Sequence, residues 1–198
     1  MYGSTNDYLA QVCKTKYEFI SSAVEEKTLL SNVLDVCYGK DHKKLLVGKI
    51  PVFGSGGIMR YANMALYDGE SVLIPRIGTL NKVMYRHDSF WSVNTMFYTK
   101  MKRTHIAKYV YFFMKSQDLS SMNVGSAVPS MTTDILNAIE LPLPSDDVLK
   151  SFDEEIQPLF DTIENNNKQN ELLVKIRDIL LPKLMSGEID VSKLDLGN

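Results

Sequence analysis

The chain is poor in cysteine, with only Cys13 and Cys37 in 198 residues. Two cysteines cannot build a disulfide framework, and they are too few for a zinc site of their own. The pattern His-Glu-x-x-His is absent, and the three histidines, His42, His87 and His105, form no ligand pattern with the cysteines. We therefore expect reduced thiols and no metal site.

Long apolar runs are also missing. No stretch approaches the roughly 18 to 20 apolar residues that cross a bilayer. The first twenty positions carry Asp7, Lys14, Lys16 and Glu18 in place of a signal peptide's apolar core. We expect a cytoplasmic protein without a membrane partner.

The content of 44% hydrophobic, 10% aromatic and 23% charged residues is that of an ordinary globular chain, which argues against disorder.

A phosphate-binding loop is not present either, since neither Gly-x-x-x-x-Gly-Lys-Ser/Thr nor Gly-x-Gly-x-x-Gly occurs. The run Gly54-Ser55-Gly56-Gly57 follows a predicted strand, but residues 58–61 do not begin a helix, so a flexible turn is favoured over a nucleotide site. Cys13 or Cys37 with a distant histidine stays open as a nucleophile, without local support. We expect no catalytic residue and interpret the chain as a binding protein.

Charge is unevenly distributed, although the formal net charge is only −2. Between Lys40 and Lys108, twelve lysines and arginines stand against four acidic residues, a net charge of +8, so the rest of the chain carries −10. Much of that negative charge lies at Asp146, Asp147, Asp153, Glu154, Glu155, Asp161 and Glu164. The basic middle predicts binding to a polyanion. Chance clustering on a solvated surface is the alternative.

The pattern of apolar residues predicts an α/β chain of the α+β type. Residues 5–34 space apolar side chains at helical intervals without Gly or Pro, which predicts a helix. Between 36 and 98, short β-branched and aromatic runs alternate with turn residues, with strands predicted at 50–53, 71–74, 82–85 and 95–98. Helices are predicted again at 104–116 and 132–139. A β-rich core with flanking helices is therefore expected.

The segment Leu-Pro-Leu-Pro at 141–144 predicts an extended linker, because proline disfavours helix in the residue before it. Ser145 then offers an N-cap, and Asp146 and Asp147 suit the positive end of a helix dipole. We place a boundary here, with a β-rich domain in 1–144 and a helical segment in 145–198.

An apolar stripe with alternating steps of three and four residues runs along that predicted helix from Leu149. Its further members are Phe152, Ile156, Leu159, Ile163, Asn166, Asn170, Leu173, Arg177, Leu180 and Leu184. Pro158 is expected to kink the helix or to split it, leaving a longer piece at about 159–181. The stripe requires a partner helix. The N-terminal helix is one alternative, but its pattern is poorer, so we expect pairing with another chain.

The residues of the basic middle resemble a known family, the specificity subunits of type I restriction-modification systems. Residues 50–98, IPVFGSGGIMRYANMALYDGESVLIPRIGTLNKVMYRHDSFWSVNTMFY, carry the Gly-Ser-Gly-Gly turn, the Gly-Thr step and the Phe-Trp followed by an Asn-Thr strand that are typical of its target recognition domain. Residues 123–144, NVGSAVPSMTTDILNAIELPLP, and 172–189, LLVKIRDILLPKLMSGEI, are similar to its closing segment and conserved-region helix. The likeness covers roughly positions 28 to 189.

This resemblance implies half of a specificity subunit, because family members generally carry two recognition domains and two antiparallel helices. It implies double-stranded DNA, a methyltransferase (modification) subunit and a restriction subunit as partners, with S-adenosylmethionine held by the methyltransferase. The chain itself is expected to need no cofactor, since it lacks the Asn/Asp-Pro-Pro-aromatic motif and the helicase motifs. Two copies pairing through the helix would rebuild a two-fold molecule.

The resemblance and the charge pattern together assign roles to residues. Phosphate contacts are expected from Lys43, Lys44, Lys49, Lys100, Lys102 and Arg103. Base readout is expected from Arg60, Arg76, Asn81, Lys82 and Arg86, with Ser55 in the neighbouring turn. The dimer or partner interface is expected at Leu159, Ile163, Asn166, Asn170, Leu173, Arg177 and Leu180.

Several alternatives stay open at the level of sequence. One is a free-standing enzyme with a site around Cys37 and His42, and another is a helical scaffold whose β-rich unit no longer binds DNA. Departures from the family pattern occur around Arg76, which is flanked by Pro75 and Ile77, and at Asn81, where glycine is common. The bases recognised, the choice between a homodimer and another half-subunit, and the possibility of a truncated remnant are therefore left undecided.

Overall fold

The computed structural model describes residues 4–122 and 129–188, in which the chain forms five helices and nine strands. The helices are α1 (Thr5–Ser22), α2 (Leu30–Val33), α3 (Ala107–Ser116), α4 (Thr133–Asn137) and α5 (Asp146–Met185). The strands are β1 (Lys27–Leu29), β2 (Leu34–Tyr38), β3 (Val47–Gly54), β4 (Gly57–Ala62), β5 (Ser71–Pro75), β6 (Met84–Arg86), β7 (Trp91–Ser92), β8 (Met96–Met101) and β9 (Glu140–Pro142). The predicted α+β class is confirmed. The parts of the sequence likeness at 123–128 and 189 lie outside the described residues.

Three sheets form from these strands. The largest has the order β2-β8-β5-β6 with antiparallel neighbours, and a second has the order β4-β3-β7. In the second sheet β3 and β4 form a hairpin around the predicted turn, with a strand β4 that the sequence analysis did not predict, whereas β3 and β7 are parallel. The two sheets share a buried cluster that includes Val52, Phe53, Leu73, Phe90 and Met96. The short apolar runs of the sequence form this core because burying them removes apolar surface from water.

An aromatic cluster packs the helices of the same region together. The rings of Tyr109 and Phe112 in α3 lie 5.2 and 5.9 Å from Tyr17 of α1, and 6.0 and 6.3 Å from Phe152 of α5. Such stacked, tilted and edge-to-face pairs stabilise the packing beyond the burial of the large apolar rings. The predicted aromatic stripe at 104–116 is therefore core.

The N-terminal helix is shorter than predicted, because it ends at Ser22 and the chain then forms β1. This strand pairs with β9, so that Thr28 stands opposite Leu141. The segment 141–144 is consequently not a free linker: its first residues form a strand, and Leu141 is fully buried. The predicted helix continued to residue 34 because the apolar residues keep helical spacing and no Gly or Pro interrupts them. The backbone hydrogen bonds with β9, more than a hundred residues away, favour a strand at β1 over that local pattern.

The long helix is continuous over 40 residues, so of the two effects predicted for Pro158, a kink or a split, the split does not occur. A proline inside a helix removes one backbone hydrogen bond. The other backbone hydrogen bonds of α5 continue on both sides of Pro158. The hydroxyl of Thr162 donates to the Pro158 carbonyl at 2.8 Å. Among the described residues, no helix is long and apolar enough to cross a membrane.

The described residues form two compact units. One combines residues of the ranges 1–13 and 156–198, and the other is Lys14–Glu155. This division differs from the boundary at 144/145 that the sequence suggests, because the first turns of α5 pack in the larger unit. We call the larger unit the head and the described part of α5 from Ile156 onward the stalk.

Candidate nucleic-acid interface

Three loops meet at one end of the large sheet, where β8 begins and β2 and β5 end. They are the loop 39–46 after β2, the hairpin turn 55–56 and the loop 76–83 after β5. Register places Tyr38 opposite Phe97 and Pro75 opposite Met96, which brings the β2 and β5 ends together. We call this region the loop end of the head.

The hairpin turn and the loop 76–83 contact each other directly. Lys82 donates from its ammonium group to the Gly56 carbonyl. Gly78 has a φ of +93° and lies so close to the turn that an added Cβ would stand 3.6 Å from the Ser55 hydroxyl. The Gly-Ser-Gly-Gly run thus forms a turn, as predicted. The ammonium group of Lys82, from the neighbouring loop, lies beside the exposed backbone of this turn.

Arg76 is held at the edge of the loop end by two contacts. Its guanidinium stacks 5.3 Å from the centre of the Tyr38 ring, and its Nη1 donates to the Asn94 carbonyl at 3.2 Å. A planar guanidinium with five donors, held by a ring and one carbonyl, is suited to paired hydrogen bonds with a base edge. Base readout by Arg76 stays a prediction.

Arg60 joins the hairpin to the loop that contains Lys43 and Lys44. Its Nη2 donates to the Leu45 carbonyl at 2.5 Å. Both lysines are exposed in this loop, which begins at the loop end. Ser55, Arg76 and Lys82 therefore lie at the loop end. The loop with Lys43 and Lys44 starts there but runs on to the start of β3, where Leu46 hydrogen-bonds with Asn63 just beyond the far end of β4.

Two other candidates for base readout, Asn81 and Arg86, have structural partners. The Asn81 side chain lies 3.3 Å from an Asp118 carboxylate oxygen and accepts from the Ser120 N–H at 3.1 Å. Arg86 stands opposite Ser71, at the other end of β5, and stacks 5.4 Å from the Phe53 ring centre. Asn81 is exposed but its amide joins one loop to another, and the half-buried Arg86 packs on the core, so the side chains of both already have partners within the chain.

The remaining predicted phosphate contacts lie elsewhere on the head. Lys49 is near the start of β3, away from the hairpin turn, and Lys100 lies 5.7 Å from the ring centre of Tyr67. Lys102 pairs with Asp35 at 2.8 Å, and Arg103 pairs with Asp146 at 2.6 Å. Lys102 and Arg103 follow the end of β8, roughly 20 Å along that strand from the loop end at 3.3 Å per residue. The structure does not bring these cations to Arg76.

Sequence reasoning missed Tyr38 and Asn94, which hold Arg76, and two exposed apolar residues of the hairpin. Ile58 and Met59 are 50% and 58% exposed, and Met59 lies at a register irregularity between β3 and β4. Bulges re-aim side chains and occur beside functional sites. No local sequence pattern marks Tyr38 or Asn94. Two apolar residues, Ile58 and Met59, directly after a glycine-rich turn are a pattern from which exposed apolar side chains could have been predicted.

The alternative site around Cys37 gains no support from the structure. Cys37 packs against the core cluster, and both cysteines of the chain are free thiols. Burial and the neighbouring Cys37 both raise the pKa of Tyr98, with burial the larger cause. Cys37 is thus placed as a core residue next to a tyrosine.

The predicted interface stripe on α5 divides into two parts. Asn166 donates to Asn6 Oδ1 at 2.8 Å, and Asn6 donates to Asn167 Oδ1 at 2.9 Å. Leu159, Ile163 and Asn166 are half-buried within the chain, whereas Asn170, Leu173, Arg177 and Leu180 are exposed. The first part of the stripe thus has a neighbour within its own chain, α1 at Asn166, and the pairing of the stripe with another chain stays a prediction.

The distal stalk, residues 171–185, exposes most of its apolar side chains. These exposed residues are Leu172, Leu173, Val174, Ile176, Ile179, Leu180, Leu181, Leu184 and Met185. At 100° per residue they occupy most of the helix circumference, apart from a strip with Lys175, Asp178 and Pro182. A helix that is apolar nearly all round is normally buried, so this segment has the composition of an interface.

Comparison with known proteins gives the sequence relationships of the chain. Residues 30–175 match the family described as the type I restriction modification DNA specificity domain. The MjaIX specificity subunit of a type I restriction enzyme from Methanocaldococcus jannaschii is 27% identical over 137 residues, 66% of this chain and 32% of that protein. The HindI specificity subunit from Haemophilus influenzae is 32% identical over 92 residues, 46% of this chain and 18% of that protein. The chain thus spans about a third or less of these relatives.

Solved structures share the fold at low sequence identity. The S subunit of a type I restriction-modification system from M. genitalium superimposes with a TM-score of 0.74 at 18% identity, covering 90% of this chain and 54% of that one. The HsdS subunit from Thermoanaerobacter tengcongensis gives a TM-score of 0.51 at 10% identity, covering 93% and 52%. In both cases this chain corresponds to about half of the matched structure.

Proposed function

Because this chain belongs to the family of type I restriction-modification DNA specificity domains, we propose that it is a DNA-reading half of a specificity subunit. The observation that carries the proposal is the loop end, where Lys82, Arg76 and the turn at Ser55 lie together. Basic side chains beside exposed glycine backbone can approach phosphate and base edges at the same time.

The proposed mechanism is recognition without catalysis. Lys43 and Lys44 contact phosphate and position the duplex, while Arg76 and Lys82 read base edges in the major groove. Arg60 supports this surface by holding the lysine loop to the hairpin. Methyl transfer belongs to a methyltransferase subunit that holds S-adenosylmethionine, and cleavage belongs to a restriction subunit, as the family assignment suggests. The matched sequence relatives are themselves named as specificity subunits of restriction enzymes.

We further propose that two copies pair through the distal stalk. Since Asn6 already contacts Asn166 and Asn167, the two-fold contact is expected beyond Asn170, along Leu173, Leu180 and Leu184. A single helix covers only part of the apolar circumference of residues 171–185. The sides that a second copy leaves open, including Val174 and Leu181, are proposed to contact the methyltransferase.

The test is selection of bound duplexes from a random DNA pool, followed by gel shifts at several salt concentrations. We expect a recovered sequence with two inverted half-sites separated by a fixed gap. Binding should weaken with salt, and the variant with Lys43 and Lys44 both changed to Gln should have a shallower slope by about two phosphate contacts. Loss of affinity without a change of slope would argue against phosphate contacts by these lysines. Failure to recover any common sequence, with or without methyltransferase, would contradict the proposed function.

A further inference from the structure

One lysine of the head, Lys108, is buried. Lys108 of α3 has a side chain only 2% exposed, and lysine is almost never fully buried unless it is paired. Its Nζ lies 2.5 Å from Asp153 Oδ1 and 3.5 Å from Glu70 Oε1. It also stands 5.5 Å from the centre of the Tyr85 ring. One ammonium group therefore joins three parts of the chain: the residue before β5, strand β6 and the first turns of α5.

The neighbours of Lys108 complete a connected polar network. The Tyr85 hydroxyl donates to Glu70 Oε1 at 2.6 Å, and His105 Nδ1 lies 2.9 Å from Asp153 Oδ2. Both carboxylate oxygens of Asp153 are therefore engaged, and Asp153 itself is only 15% exposed. All five residues belong to the head, and Asp153 is the member that lies on α5.

Other ion pairs at the start of α5 are of a different kind. Arg103 pairs with Asp146 and Lys16 pairs with Glu155, each at 2.6 Å, but in both pairs the carboxylate is more than half exposed. Exposed pairs are screened by solvent and hold geometry weakly. Apolar packing around Phe152 contributes burial, yet non-directional contacts tolerate small shifts. Lys108 with Asp153 is a buried and directional ion pair between these first turns and α3.

We propose that Lys108 is a positioning residue that fixes the start of α5 to the DNA-reading head and thereby sets the gap accepted between two half-sites. The proposal rests on the proposed function, in which two heads are joined through paired stalks. The range of gaps that such a dimer accepts depends on how rigidly each helix is held where it begins. A shift of these first turns that separates Asp153 from Lys108 leaves the buried ammonium group with only the more distant Glu70 as a charged partner, which penalises that shift.

The experiment uses the full chain and the duplex recovered by selection, resynthesised with the gap shortened or lengthened by one and two base pairs. We expect the unchanged protein to prefer the selected gap by about tenfold or more, a difference comparable to that of one mismatched base pair. K108M should bind all gaps within about threefold, while its discrimination against a changed base within a half-site stays within about twofold of the unchanged protein. Lys108→Arg, which keeps the charge, should restore part of the gap preference.

Lys115→Met is the matched control, because Lys115 lies on the same helix and is exposed. It should leave gap preference unchanged. Should K108M fail to fold, the double variant K108M/D153L, which removes both charges together, takes its place with the same expectations.

Two results with the variants overturn the proposal. One is a Lys108 variant that keeps the gap preference, and the other is a variant that loses gap and base discrimination together, which is the sign of a merely structural role. An unchanged protein that binds a specific sequence without gap preference also overturns it. A failure of the proposed function is recognised separately, because the unchanged protein then selects no sequence at all.

Discussion

The side-chain amide of Asn166 donates to Oδ1 of Asn6 across 2.8 Å, joining residues that are 160 positions apart in the chain. This contact gives a polar residue of the stalk stripe a partner within its own chain. It also defines where the covered part of α5 ends, since Asn170 and the residues of the distal stalk are exposed.

We predict that the dimer depends on the distal stalk. Leu180→Glu places a charge from each copy in the expected two-fold contact, and we expect the dissociation constant of the dimer to rise about tenfold or more. Sedimentation analysis over a range of concentrations measures this change. Lys175→Glu, on the polar strip, serves as the control and should have little effect. Dissociation by Asn166→Leu, with Leu180→Glu still dimeric, would show that the proposed pairing region is wrong.

The second prediction concerns base readout by Arg76. Arg76→Ala should weaken binding to the selected duplex by about 1–3 kcal/mol, or roughly 5- to 150-fold, because a paired contact to a base edge is lost. Binding to random duplex of the same length should change far less. Competition gel shifts measure both, with Lys115→Ala as a control for the loss of one positive charge. Equal losses on the two duplexes would exclude Arg76 from readout.

The hairpin turn offers a matched pair of glycines for a stability test. Gly57 has a φ of +119°, whereas Gly56 has open space around its Cβ position and no such φ. Gly57→Ala should lower the free energy of unfolding by about 1–3 kcal/mol, because a Cβ is strained in that backbone conformation. Gly56→Ala should change it by about 0.5 kcal/mol or less. Urea unfolding measures both, and equal effects would contradict the assigned backbone geometry.

The fourth prediction is a pH dependence that involves Tyr109. Burial, and to a smaller extent Tyr17, raises the pKa of Tyr109 well above its usual 10.0. Above about pH 10 the unfolded tyrosine loses its proton while the folded one keeps it, so the folded state binds more protons and the free energy of unfolding falls as pH rises. Tyr109→Phe should reduce this alkaline slope.

Tyr109→Phe should also lower the free energy of unfolding at neutral pH. Tyr109 donates from its hydroxyl to the Pro142 carbonyl at 3.0 Å, and losing that bond should lower the free energy of unfolding by about 1 kcal/mol. The curves of the variant and the unchanged protein should therefore converge as pH rises. Denaturant unfolding between neutral pH and pH 11 measures this, and parallel curves would count against the buried, neutral Tyr109.

Much of the architecture was predictable because it depends on neighbours in sequence. The short apolar runs became β3, β5, β6 and β8, the glycine run became a turn, and the helices at 104–116 and 132–139 are present as α3 and α4. The errors occurred where distant contacts compete with local preference. Strand β1 replaces the end of a predicted helix because β9 supplies its hydrogen bonds, and Pro158 stays inside α5 because a long helix tolerates one missing bond.

The amino-acid sequence by itself determined the charge distribution, the hairpin turn, the apolar stripe and the family resemblance, because each is a property of residues close together along the chain. Only the tertiary structure decided which cations lie together, that Arg76 rests on Tyr38, that Asn6 contacts the stalk, and that Lys108 is buried against Asp153. These relationships join residues that are far apart in sequence, and they follow from strand pairing and from the burial of side chains, which no local pattern specifies.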